Sequence, residues 1–249
     1  DARGDRSPGE FYQLDMEMSF ATQDDVFGVL EEVFPPIFAK YGTYNRASSA
    51  PFPRIGFTEA MEKYGSDKPD LRIDLTVTDV TDLLSDCGFE AFAGNTVKAI
   101  PVSDFTATRK QIDKLCADVE VQAGNKAYWF KLDEKGELAG GIAKFLGEKK
   151  DALVERLGLQ PNTFVGLTCG KKSAAQKTAG VLRSKLGALC PNHMDKEQYA
   201  FCWIVDFPMY EIGEESGELE FCHNPFSMPN GGAEILDKAI HGEIDPLSI

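Results

Sequence analysis

Between Tyr12 and Phe20 apolar and polar residues alternate without a break. Tyr12, Leu14, Met16, Met18 and Phe20 fall on one side, and Gln13, Asp15, Glu17 and Ser19 on the other. A repeat of two predicts a long half-buried strand with all its apolar side chains on one face. Such a strand needs a sheet beside it and a second layer over its apolar face, which already excludes an all-helical chain. The segment ahead of it, Arg3-Gly-Asp-Arg-Ser-Pro-Gly9, is rich in breakers and reads as a turn carrying two arginines.

The pattern then turns helical. Val26, Leu30, Val33 and Ile37 fall on one side of a helix over 22–41, with Thr22 and Asp25 placed as a capping box. Pro35-Pro36 should kink or divide it. Residues 43–53 read as a surface loop. Thr58 is placed to cap a short helix ended by Gly65, 65–72 reads as a loop, and 78–85 as another short helix. From about Phe89 the texture changes to short strands alternating with helices: 97–102, 108–118, 127–132, 143–157, 163–169 and 173–186. This predicts a compact α+β insert with its own core, for which Leu115, Ile142, Leu146, Leu153 and Val165 are candidates. Its ends should meet, because an insert must leave and rejoin its host at nearby points. Phe201-Cys-Trp-Ile-Val205 reads as a central strand and 211–220 as a hairpin turning at Gly213 and Gly217. Three segments follow: 1–88, 89–194 and 195–249.

Composition narrows the function classes. The chain has 249 residues, 43% hydrophobic and 27% charged, which excludes a disordered or collagen-like chain. No run reaches the ~18 consecutive apolar residues of a membrane span, and no charged-then-apolar leader opens the chain, so a cytoplasmic protein is expected. Its net charge of −14 disfavours nucleic acid as a whole-surface partner, leaving local basic patches for any such contact. The cysteines Cys87, Cys116, Cys169, Cys190, Cys202 and Cys222 form no CxxC pair, and three histidines are too few for a multi-histidine metal site. Free thiols in a reducing compartment are expected.

The residues that could carry chemistry each have two readings. Gln13, Asp15 and Glu17, on one strand face, could hold an ammonium group, a ribose hydroxyl or Mg²⁺, or could be a solvated face. Arg3 and Arg6 could contact phosphate or be solvated. Gly65-Ser-Asp-Lys-Pro-Asp-Leu-Arg72 could close on a ligand or pair its charges internally. Gly170-Lys-Lys-Ser173 lacks the glycine spacing of a phosphate loop, and a strand-to-helix turn capped by Ser173 accounts for it. His223 ends an apolar strand, where it could be structural or functional.

In combination these segments say more. Residues 3–17, Arg-Gly-Asp-Arg-Ser-Pro-Gly-Glu-Phe-Tyr-Gln-Leu-Asp-Met-Glu, resemble the second half of motif 2 of the class II aminoacyl-tRNA synthetases. Gly65–Arg72, Val205-Asp-Phe-Pro-Met209 and His223-Asn-Pro-Phe226 are similar to segments of the bacterial-type aspartyl-tRNA synthetase family. Thr108-Arg-Lys-Gln-Ile-Asp113 looks like that family's insertion domain, a module also found in the B subunit of the tRNA-dependent amidotransferase. The resemblance runs along essentially the whole chain, in the expected order.

The resemblance implies an α+β fold, part of the class II antiparallel sheet with flanking helices, interrupted by the insertion domain. It implies ATP-dependent activation of L-aspartate to aspartyl-adenylate and transfer to tRNA, with Mg²⁺, in a homodimer. By position in the motifs, Asp15 would bind the substrate ammonium, with Gln13 and Glu17 lining the pocket and Glu17 on its ATP side. His223 would lie by the substrate's side-chain carboxylate and Ser7 near ATP. Arg3 and Arg6 would approach the tRNA acceptor end. Asn224 stands where some relatives carry a second histidine. The α-phosphate arginine of motif 2, motif 1, motif 3 and the anticodon-binding barrel are not found, so a truncated piece, inactive alone, is expected. The alternative is a non-catalytic tRNA-binding or scaffold module related to the amidotransferase insert. That module should lack both the motif 2 strand and the segment 223–226.

Overall fold

The structure is a computed structural model and describes residues 10–44, 46–213, 216–222 and 228–249. Along the chain run α1 (Gln23–Tyr41), β1 (Arg46–Ala47), β2 (Arg54–Gly56), α2 (Phe57–Tyr64), β3 (Thr78–Asp79) and α3 (Thr81–Leu84). Next come β4 (Thr96–Val102), α4 (Arg109–Ala123), β5 (Ala127–Leu132), β6 (Leu138–Ala139), α5 (Lys150–Leu157), β7 (Phe164–Gly170) and α6 (Lys172–Leu189). The chain continues with β8 (Gln198–Tyr199), β9 (Trp203–Val205), β10 (Tyr210–Ile212), β11 (Leu219–Phe221) and α7 (Ala233–Ile240).

The main sheet has the order β3-β4-β7-β5-β6 and every pairing in it is antiparallel. Both of its faces are buried, and the strands keep their repeat of two. In β4, Val97 and Ala99 point to one face and Ile100 and Val102 to the other; in β5, Trp129 opposes Phe130 in the same way. One face packs on α4 and α6 through Ile112, Leu115, Val119, Leu182 and Leu186. The other packs under α3, α5 and the turns between, through Leu84, Phe92, Ile142, Leu146 and Leu153. The fold is therefore α+β, an antiparallel sheet with flanking helices. All the expected core residues of the insert are buried, Leu115 on the first face and Ile142, Leu146, Leu153 and Val165 on the second.

This core reaches upstream of Phe89. Ile73, Leu75 and Val77 belong to the first cluster, Val80 and Leu84 to the second, and Thr78–Asp79 is the edge strand rather than the start of a helix. A division at 88/89 therefore cuts through residues that pack together. The chain enters and leaves this unit side by side: Ile73 bridges Met194, Asp74 N–H donates to His193 O at 3.1 Å, and Asp195 N–H donates to Arg72 O at 2.9 Å.

Outside the unit, β1 pairs with β8 and β2 with β9, both in parallel. Helix α1 lies on them through aromatic rings. Phe27 stacks on Trp203 at 4.2 Å, and Phe38 meets Tyr199 and Phe201 edge-on. Glu31 ties these pieces together, accepting from Phe52 N–H at 3.0 Å and from Trp203 Nε1–H at 2.7 Å. The Thr22–Asp25 capping box is present in both directions. The helix is not divided at Pro35-Pro36, because rings on both sides of the prolines hold it against the same surface.

Four further expectations are corrected. No ladder forms along 10–20 among the described residues: Phe11, Tyr12, Leu14, Met16, Met18 and Phe20 are all exposed, and alternation yields a strand only where a neighbouring strand accepts its backbone bonds. Helix α2 starts after Gly56 without a side-chain cap, so Thr58 is not its cap, and α6 starts after Lys171 rather than at Ser173. Val205 ends a strand that pairs with β2 alone among the described residues and is only half-buried, so it is not a central strand. The cysteines are free, as expected, but only Cys169 is fully buried. Among the described residues no helix is long and apolar enough to cross a membrane.

Candidate functional site

The segment 10–22 feeds directly into α1, and α1 is seated on β2 and β9 by the contacts above. Arg54 adds an ion pair to Asp24 at 2.6 Å and lies over the Phe27 ring. The start of α1 thereby reaches the end of β9. There a cleft of ≈ 210 Å³ opens between Gln23, the β9 end and turn 204–209, residues 228–230 and Ile249. The hairpin of β10 and β11 closes back on it, with Cys222 N–H donating to Met209 O and Met209 N–H to Ile249 O.

Asp206 stands at the mouth of this cleft. Its φ is +57°, a left-handed conformation that asparagine and aspartate tolerate better than most residues. Its carboxylate accepts from Asn230 Nδ2–H at 3.0 Å. Sequence reasoning gave Asp206, Asn230 and Gln23 no site role, although Asp206 lies in Val205-Asp-Phe-Pro-Met209, one of the segments that carry the family resemblance.

The expected site residues divide in two. Gln13 and Asp15 are brought together: the Gln13 amide donates to the Asp15 carboxylate, as side chains two apart on one face of an extended segment can. Both are exposed, as is Glu17. Arg3, Arg6, Ser7 and His223 lie outside the described residues. No group of three or more His, Cys, Asp or Glu side chains suited to a metal is gathered among the described residues.

The loop 65–72 pairs its charges internally. Asp67 takes Lys68, and Asp70 accepts from Arg72 Nε–H and Nη2–H at 2.9 and 2.7 Å. These bonds hold the Asp70 carboxyl below its usual range, against the opposing effect of burial. The loop is fastened to α6 by Arg183, which is 1% exposed and donates to the carbonyls of Asp70, Ile73 and Leu75. A second buried cation, Lys98, bonds Glu62 and Asp79, and Glu62 also accepts from Lys172 at 2.8 Å. Lys172 of the Gly170-Lys-Lys-Ser173 turn is thus an ion-pair partner.

The profile of the family described as tRNA synthetases class II (D, K and N) matches residues 1–245. A Streptomyces coelicolor protein named Aspartate--tRNA ligase is 46% identical over 251 residues, covering 100% of this chain and 42% of that protein. A Streptomyces avermitilis protein of the same name is 48% identical over 252 residues, again 100% of this chain and 42% of the relative. A Zymomonas mobilis protein named Aspartate--tRNA(Asp/Asn) ligase is 43% identical over 255 residues, with the same two shares. The chain thus spans about 42% of the length of these curated relatives. The match runs through the five-stranded unit and through the segments on either side of it. This chain belongs to the class II tRNA synthetases of the D, K and N group.

Proposed function

We propose that the protein to which these residues belong is an aspartate–tRNA ligase. It activates L-aspartate with ATP to aspartyl-adenylate and esterifies tRNA. The observation that carries this reading is the match of every residue of the chain to proteins named Aspartate--tRNA ligase at 46–48% identity. The adjacent Gln13 amide and Asp15 carboxylate agree with it, because a paired amide and carboxylate suit an ammonium group. The activity is proposed for the whole protein.

In this reading Asp15 holds the aspartate ammonium by a charge-assisted hydrogen bond, with Gln13 orienting the carboxylate and Glu17 lining the ATP side. His223 faces the substrate's side-chain carboxylate. Ser7 lies by ATP, and Arg3 and Arg6 meet the tRNA acceptor end. The carboxylate of aspartate attacks the α-phosphorus and pyrophosphate leaves, a step that needs alignment and charge neutralisation more than covalent help from the protein. Mg²⁺ bound to the ATP phosphates would supply part of that charge neutralisation. Residues 73–194 form an insertion domain, a boundary earlier than 89, supported by the packing of Ile73, Leu75, Val77, Val80 and Leu84. The assembly is a cytoplasmic homodimer.

ATP–pyrophosphate exchange by the full-length protein tests this. Exchange should depend on L-aspartate, and exchange driven by asparagine or lysine instead would overturn the assignment. In the same protein Asp15→Asn should raise the KM for aspartate at least about tenfold, the loss of a contact worth ~1.5–3 kcal/mol. The 249-residue chain by itself should show no useful exchange, because Gln13, Asp15 and Glu17 stand exposed and a charge-assisted contact in open water is weak.

A further inference from the structure

His193 sits in the short turn Pro191–His193, where the chain leaves α6 and returns past its own outgoing strand. Its side chain is 14% exposed. Nδ1 lies 2.8 Å from Asp74 Oδ1 on the outgoing chain, and Nε2 lies 3.0 Å from the carbonyl oxygen of Ser103 in the turn after β4. Both partners are acceptors. A neutral imidazole has only one N–H, so it can satisfy one of them and must point a lone pair at the other. Only the imidazolium donates to both. The Ser103 hydroxyl, 3.5 Å from Nε2, is the nearest group that could donate to a neutral ring, and it is at the outer limit of a hydrogen bond. With Nε2 occupied by the Ser103 carbonyl, this Ser-His-Asp arrangement is not a nucleophile with its base.

We propose that His193 is a protonation-controlled clasp: as an imidazolium it ties Asp74 and Ser103 to the returning chain, and on losing its proton it releases the Ser103 carbonyl and loosens the neck of the five-stranded unit. The surrounding charges agree. Asp74 faces the ring from the outgoing chain and Asp104 from the turn after β4. Cys190, at the end of α6, lines the same cleft, and burial pushes its thiol up, so it stays neutral. The other walls, including Pro101, Leu159, Gln160 and Thr163, carry no charge. Burial opposes the ring's charge, but the Ser103 carbonyl and the Asp74 carboxylate outweigh it and raise the His193 pKa above the ordinary 6.5. A raised folded-state value means the clasp stabilises fully below 6.5 and fades as pH rises through the raised value.

The chain has three histidines, so the imidazole Cε1–H signals can be followed by NMR and His193 assigned with His193→Gln. His193 should titrate above 6.5. Above that midpoint the amides of Asp74 and Asp195 should exchange faster, after correction for the intrinsic base-catalysed rate. Asp74→Asn should move the midpoint down toward 6.5, and His193→Gln should abolish the pH dependence of the two amides. A wild-type midpoint at or below 6.5, or amide protection unchanged across it, overturns the proposal whether or not either variant folds.

Discussion

Arg183 closes hydrogen bonds that no other buried side chain of the neck could close. Its Nε donates to Leu75 O at 2.6 Å and Nη2 to Ile73 O at 2.6 Å and Asp70 O at 3.0 Å, while the guanidinium lies 4.9 Å from the centre of the Tyr64 ring. One planar fork serves all three carbonyls, which an ammonium cannot copy; Asp70 O also accepts from Ile73 N–H at 3.3 Å, whereas Ile73 O and Leu75 O depend on Arg183. Burial pulls the Arg183 pKa down from its ordinary value, with Tyr64, Asp70 and Asp74 opposing that, and the group remains a cation throughout the physiological range. Arg183→Met should therefore destabilise the chain by about 2 kcal/mol or more, since Ile73 O and Leu75 O would each be abandoned at a cost of ~1–3 kcal/mol. Arg183→Lys should recover only part of that. Urea unfolding of the three proteins, compared by midpoint at constant slope, measures it; equal midpoints would show that the carbonyls find other donors.

Helices α2 and α6 cross at Gly65 and Gly180, and the two glycines have opposite local claims. Gly65 ends α2 at φ +68°, a left-handed position that the sequence marked as a helix stop. Gly180 lies in mid-helix, where alanine would gain about 1 kcal/mol in propensity. An alanine Cβ at 180 would, however, fall 2.2 Å from Gly65 O and 2.8 Å from Gly65 C, both backbone atoms that cannot step aside. Gly180→Ala should thus destabilise by about 1–3 kcal/mol despite its propensity. Gly28 in α1 has nothing within 4 Å of a built Cβ, and Gly28→Ala should stabilise by about 0.5–1 kcal/mol. Thermal melts of the two variants should move in opposite directions. The same contrast explains which elements could be read in advance. The Thr22–Asp25 cap, the Gly65 stop and the strands 97–102 and 127–132 depend on residues close in sequence, and they are found within a residue or so of where they were expected. The segment 10–20 has the cleanest alternation in the chain and forms no strand among the described residues, because its pairing depends on a neighbour that its own residues do not encode. Asp206 and Asn230, 24 residues apart, meet only through the fold, and nothing in either residue's neighbours marks the pair.

At the scale of the molecule the two hydrophobic clusters decide what folds with what. Every buried member of both lies between Ile73 and Leu186. The sequence change at Phe89 is real as a change of texture, but Ile73, Leu75 and Val77 stand in a stretch too short and too close to Pro69 to announce a core. They enter it because the edge strand Thr78–Asp79 pairs with β4 and draws the preceding residues under α6. Outside this unit, burial is thin: α1 has no fully buried residue and is held by half-exposed rings. A fragment of residues 73–194 should therefore fold alone and unfold cooperatively. It keeps both clusters, the Ile73–Met194 bridge, the His193–Asp74 contact, the Asp79 partner of Lys98 and two of the three Arg183 carbonyls. A fragment of residues 89–194 should not fold. It loses Ile73, Leu75, Val77, Val80 and Leu84, and at ~1.5–3 kcal/mol for each buried side chain the loss is about 7–15 kcal/mol, as large as the whole stability of an ordinary domain. It also strips Lys98 of both carboxylates, leaving a buried ammonium unpaired. Amide-proton dispersion and urea unfolding of the two fragments give the answer directly. Equal, native-like spectra from both would return the boundary to Phe89, and no folding by either would show that α2, through Glu62 and the Gly65–Gly180 crossing, belongs to the same cooperative unit.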